Sequence, residues 1–179
     1  MAAAIGLAGT PANADAGWNV SPEDPFTAVG ADPEMINRSA ITHCETVTAS
    51  GGVFSSDSNH VGNITSSNWN RCEWWLGLAC NIVQIGTWTV NANNPNASGG
   101  IDVEIRNVNA TISGPFCDVT LTGTLCGTYD NTGTLTINEP EGGNLMVTSA
   151  SCWGIFNSGD RPGLSVTLTM TPSIVVTPA

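Results

Sequence analysis

Ile101-Asp102-Val103-Glu104-Ile105-Arg106 opens the stretch whose reading decides the fold. Its apolar residues take the odd positions and its charged residues the even ones. Cys117, Val119, Leu121, Leu125 and Tyr129 repeat the alternation against Asp118, Thr120, Thr122, Thr124 and Thr128. Asp130-Asn131-Thr132-Gly133 then turns the chain into Thr134-Leu135-Thr136-Ile137-Asn138. Successive side chains of a β-strand leave opposite faces, so a period of two means strands with one buried face. Between these runs the apolar phase changes from odd to even near Asn107, where Val108, Ala110 and Ile112 take over. One inserted residue, a β-bulge, produces such a change.

Working outward, Leu164, Val166, Leu168 and Met170 alternate with Ser165, Thr167, Thr169 and Thr171. Ala40–Ala49, His60–Trp69, Ile82–Ala92 and Asn144–Cys152 are further strand candidates. Turn chemistry separates them at Ser50-Gly51-Gly52, at 93–100, at Ser113-Gly114-Pro115, at 139–143 and at 157–163. No segment carries a helical period. The reading is an all-β domain over residues 40–179, an antiparallel sandwich or barrel-like fold stapled by disulfides. Alternation does not separate the two, because both bury one face of every strand. Residues 15–39, rich in Pro and acid and without periodicity, read as an extended arm with few regular hydrogen bonds. Residues 1–14 read as the remnant of an export signal. Ala2 to Gly9 is apolar and Ala12-Asn13-Ala14 is a small-x-small cleavage site, placing the mature start at or near Asp15. The competing reading is an Ala-rich tail.

The 179 residues suit a single domain with a real core. There is no Lys, and four Arg stand against fifteen acidic residues, a net charge of −11. Such a surface repels nucleic acid and anionic headgroups, which argues against both as partners. The six cysteines, Cys44, Cys72, Cys80, Cys117, Cys126 and Cys152, form an even set in a chain that reads as exported, which favours disulfides. The close Cys-x-x-Cys pairs of zinc sites are absent, and spacing alone does not choose among the pairings.

No residue set spells a reaction. Gly-x-Ser-x-Gly and phosphate-loop patterns are missing, and His43 and His60 are the only histidines. His43 beside Cys44 suggests a thiol pair, but an oxidised Cys44 is the simpler reading. Asn157-Ser158-Gly159-Asp160 offers oxygen ligands yet lacks the carboxylate density of a calcium loop, so a hydrogen-bonded turn is expected. No metal or cofactor is expected. Around Trp69, Trp74 and Trp75 the chain is at its most apolar. It reads either as a segment packed over the core or as an exposed aromatic face for a partner, sugar or lipid.

By Ser113-Gly114-Pro115-Phe116-Cys117, Gly127-Thr128-Tyr129-Asp130-Asn131 and Cys152-Trp153-Gly154-Ile155-Phe156-Asn157-Ser158-Gly159-Asp160, the chain resembles exported, Thr/Gly-rich, cysteine-containing envelope proteins of actinobacteria. The likeness covers roughly residues 40–179 and rests on turn and cysteine signatures, so it implies fold and compartment. It further implies that Cys44, Cys72, Cys117 and Cys152 pair among themselves, as Cys44–Cys72 and Cys117–Cys152. Cys80 and Cys126, which depart from the pattern, would then pair with each other.

The functional expectation is a non-enzymatic, secreted or cell-envelope β-protein with a structural or interaction role. Its partner would be an envelope component or further copies of itself. The alternative is a subunit of an oligomeric pore in an outer lipid layer. There the 82–113 hairpin supplies barrel strands of about the 9–11 residues that a membrane strand needs, with Trp88 and Val90 facing lipid.

Overall fold

The computed structural model describes residues 17–179, and the expected export signal and mature start lie outside them. The strands are β1 (Trp18–Ser21), β2 (Pro25–Asn37), β3 (Ala40–Val53), β4 (His60–Trp74), β5 (Leu78–Gln84), β6 (Trp88–Pro95), β7 (Ile101–Gly114), β8 (Cys117–Tyr129), β9 (Thr134–Glu139), β10 (Leu145–Ser151), β11 (Gly163–Thr171) and β12 (Val175–Pro178). A 3-10 turn (Trp75–Gly77) joins β4 to β5.

All pairings are antiparallel. β2, β3 and β4 pair in order, and β4 then pairs with both β5 and β6, each of which pairs with β7. From β7 the sheet continues through β8, β9 and β11 back to β2. With β5 and β6 counted as one stave interrupted at 85–87, eight staves close into a barrel. Of the two architectures open to the sequence, the chain takes the one that leaves no free sheet edge in the wall. β10 lies outside this circuit against the upper part of β8, and its second edge is covered by its own loop. There the Val147 N–H donates to Asp160 O at 2.8 Å and the Gly159 N–H to Val147 O at 2.8 Å.

The alternation read from the sequence becomes inside and outside. Ile101, Val103 and Ile105 fill the interior, then Val108, Ala110 and Ile112 do so after a register shift against β8 between Ile105 and Val108. Asn107 takes the left-handed backbone, φ 57°, at that shift. The bulge is therefore where the phase change placed it. Each fully buried aliphatic side chain contributes about 1.5–3 kcal/mol. The packed interior leaves two apolar voids of about 50 Å³ each among the described residues, too small for a ligand.

The ribbon of β1 and β12 closes one end. Trp18 and Ile174 are almost fully buried there. Tyr129 Oη donates to Ile174 O at 2.6 Å and accepts from the Ile174 N–H at 3.0 Å. Asn131 binds Val176 in the same two-way manner.

Several expectations are corrected. The arm expected over 15–39 is corrected for the described residues: from Trp18 onward they form β1 and β2, and β2 is a full stave between β3 and β11. Its buried positions include the small Ala28 and Gly30 while Val29 is half exposed, so size hides the period. Asp32, at φ 50°, and Pro33 lie where the pairing with β11 shifts, the kind of site a strand reserves for Pro. The expected strand 82–92 is two strands broken around Gly86, whose φ is 69°. Trp88 and Val90 face the barrel interior and not lipid, because 82–113 is wall of this barrel and its alternate residues fill the core.

Candidate functional site at the open rim

Up-and-down strands put the turns after β2, β4 and β7, and the loop joining β10 to β11, at the end opposite the ribbon. Each carries a non-glycine residue in the left-handed backbone region: Arg38 (φ 58°), Leu76 (φ 67°), Phe116 (φ 62°) and Trp153 (φ 22°). That region costs an L-residue roughly 1–2 kcal/mol and ordinarily goes to Gly or Asn. Three of the four are large and apolar, and all three stand in solvent: Leu76 76%, Phe116 69% and Trp153 84% exposed. Ile41 and Leu78 add exposed apolar surface beside them.

Phe116 and Trp153 stack with ring centroids 5.0 Å apart and planes 21° from parallel. Phe116 immediately precedes Cys117 and Trp153 immediately follows Cys152, and those cysteines are bonded to each other. The bridge therefore pins both backbone stubs of the aromatic pair. Beside Trp153 a cleft of about 390 Å³ is bordered by Asn37, Arg38, Ser39, Ala40, Gly154 and Ile155. A second hollow of about 300 Å³ continues round the rim between Ser39, Ile41 and His43 on one side and Trp74, Leu76 and Gly77 on the other.

A polar clamp fixes the cleft floor. Asn37, buried, donates from Nδ2 to Ile155 O at 2.8 Å and to Asp160 Oδ2 at 3.0 Å. Arg38 Nη2 meets Asp160 Oδ1 at 2.6 Å, and the Arg38 N–H donates to Glu141 Oε1. Burial pulls the Asp160 carboxyl upward, but hydrogen bonds from Asn37 and from the Asn157 N–H, with the Arg38 guanidinium, outweigh it and hold the group below the usual carboxylate range. Asn157–Asp160 is thus a hydrogen-bonded turn whose carboxylate is already engaged.

Of the two readings open for the Trp-rich segment, packing over the core fits Trp69 and Trp74, and the exposed aromatic surface lies elsewhere. Trp74 is 3% and Trp88 5% exposed, and Trp69 is packed against the core, so these three are corrected from surface to interior. The pleat is the reason: Trp74 shares its inward face with Cys72, and the Trp88 indole N–H is used by Asn109 O at 3.2 Å. The side chain of Trp75 lies outside the described residues. Phe116 and Trp153 were visible only as parts of turn signatures. The signal that finds them is a bulky aromatic in a turn next to a cysteine.

Cys44–Cys72 and Cys117–Cys152 are bonded as the resemblance implied. Cys80 and Cys126 are free thiols, which corrects the third bridge. Cys80 pairs with Cys72, near the rim and on the inward face, whereas Cys126 pairs with Glu104 and alternates with inward Leu125, so it points outward. Asn81 lies opposite Ser113 on β7, nine positions from Glu104. At about 3.3 Å per residue the two thiols are roughly 30 Å apart along the wall. His43 contacts Asp32 Oδ1 at 3.3 Å outside the barrel while Cys44 points inward, so no His–Cys thiol pair forms. No family model, no curated protein and no solved structure matches the chain.

Proposed function

We propose that this chain is an exported, non-enzymatic interaction protein of the cell envelope or extracellular space, presenting the rim around Phe116 and Trp153 to an envelope component. One observation carries the reading: large apolar side chains occupy left-handed turn positions that favour Gly, and they point into solvent. Large apolar residues kept in costly backbone conformations and left mostly in solvent, with only each other's rings to pack on, point to contacts made outside the chain. Two disulfides suit an oxidising compartment, and the acidic surface suits a partner that is neither nucleic acid nor anionic lipid. The resemblance to actinobacterial envelope proteins points to the same compartment.

The test is retention of the folded protein on purified envelope fragments from the producing cell, comparing wild type with Trp153→Ala. Wild type should be retained and the variant lost to at least tenfold, while the variant stays folded and loses no more than the about 1 kcal/mol of the ring stack. Equal retention of the two, or none for either, overturns the reading.

A further inference from the structure

Three cysteines stand in one row across neighbouring strands. Cys44 on β3 lies opposite Cys72 on β4, and Cys72 lies opposite Cys80 on β5. Directly opposed residues of antiparallel strands project from the same face with Cβ atoms about 4.5–5.5 Å apart, close to the separation that a disulfide spans. Cys72 therefore has a possible partner on each side. Cys44 holds it, and Cys80 is a half-buried free thiol packed against the same core.

We propose that Cys44, Cys72 and Cys80 form an intramolecular thiol–disulfide exchange site in which Cys80 displaces Cys44 from Cys72. The Cys80 thiolate attacks Cys72 Sγ. The Cys72–Cys80 bond forms as the Cys44–Cys72 bond breaks, and the electron pair leaves on Cys44 Sγ, which takes up the proton that Cys80 released. One disulfide and one thiol stand on each side of the step, so no oxidant or reductant is consumed. The exchange moves the bridge from residues 28 apart, joining β3 to β4, to residues 80 − 72 = 8 apart within the β4–β5 hairpin. The seam between β3 and β4 loses its cross-link, and the turn that carries Leu76 at the rim gains one. The two isomers thus clamp different parts of the rim.

The surroundings set the pace. Burial, joined by the Glu73 carboxylate on β4, pushes the Cys80 thiol up to about 11. Glu73 lies opposite His43 on β3 and Ala79 on β5, Arg71 is held by Glu45 at 3.0 Å, and the facing end of β7, Ile112 to Gly114, is uncharged. The attacking thiolate is therefore scarce at neutral pH and rises about tenfold per pH unit below that value.

The folded, full-length wild-type protein is incubated without reductant at pH 7, 8 and 9, acid-quenched, labelled with a maleimide and mapped without reduction. The expected result is a Cys72–Cys80 peptide with the label on Cys44, forming about tenfold faster per pH unit, while Cys117–Cys152 stays intact. Label on Cys80 and never on Cys44 at every pH overturns the proposal. So does loss of Cys117–Cys152 in step, which marks general unfolding. In Cys44→Ser, oxidised glutathione should drive a Cys72–Cys80 bridge, and two glutathione-capped thiols there instead would equally overturn it. The wild-type map decides the matter without a folded variant.

Discussion

Phe116 sits at the second central position of the Pro115–Phe116 turn with φ 62°, where glycine would be free of strain. Phe116→Gly relieves that strain and removes an exposed ring stack, two effects of about 1 kcal/mol and opposite sign. Its stability should stay within about 1 kcal/mol of wild type by urea titration while retention on envelope fragments falls. A large destabilisation would make Phe116 structural. Asp130 gives the pH dependence at this scale. The Thr134 and Thr132 N–H groups donate to its carboxylate at 2.9 and 2.8 Å, and these bonds, the Thr134 one foremost, lower it to about 2. A depressed folded value means that the stabilisation is fully present above the ordinary value near 3.9 and is lost as pH falls through about 2. The urea midpoint should therefore drop between about pH 4 and pH 2, and Asp130→Asn should make that drop shallower. Because Asp130 is exposed, the change is small. An unchanged slope in the variant would assign the acid sensitivity to other carboxylates, with Asp160 next in turn.

Between elements the tightest constraint is the seam of β3 and β4. A Cβ added at Gly51 would lie 1.8 Å from Asn63 O, a backbone atom that has nowhere to move, just where the strand register shifts after Ser50. Gly51→Ala should cost roughly 2–3 kcal/mol by urea unfolding. Gly52, with open space around its missing Cβ, should tolerate Ala far better. Equal losses at the two positions would contradict the close approach. β2 shows why some elements escaped the sequence. Midway along it the inward residues are the small Ala28 and Gly30, and Val166 and Leu168 of the neighbouring β11 fill the space beside Gly30. β7 shows the reverse, since all its inward positions but Ala110 are Ile or Val and the bulge at Asn107 is written in the phase of Ile105 and Val108.

The whole molecule is a barrel closed at one end and decorated at the other. The closure hangs on Tyr129, whose hydroxyl serves both the carbonyl and the amide of Ile174. Tyr129→Phe strands two buried backbone groups and should cost about 1–3 kcal/mol. Its signature is local: hydrogen exchange at Val176 and its β12 neighbours should accelerate, while amides of β7 and β8 stay protected. Uniform acceleration would mean that the ribbon is not a separate latch.

Alternation, turn residues and cysteine count are local properties, and they were enough to determine an antiparallel all-β chain, most of its strands, the bulge at Asn107 and its outward polar face. What closes on what is not local. Sandwich and barrel bury the same alternate residues, so only the return of β11 to β2 and the pairing of β7 with β8 decided between them. The same holds for the site. Trp74 and Trp88 look adhesive in sequence, but the pleat turns them into the core, while Phe116 and Trp153 are far apart in the chain and meet only because β8 and β10 pair beneath a disulfide. Cys80 likewise has no readable partner until the register sets it beside Cys72. Hydrophobicity states what a side chain prefers, and the closing of the sheet decides which of those preferences are met.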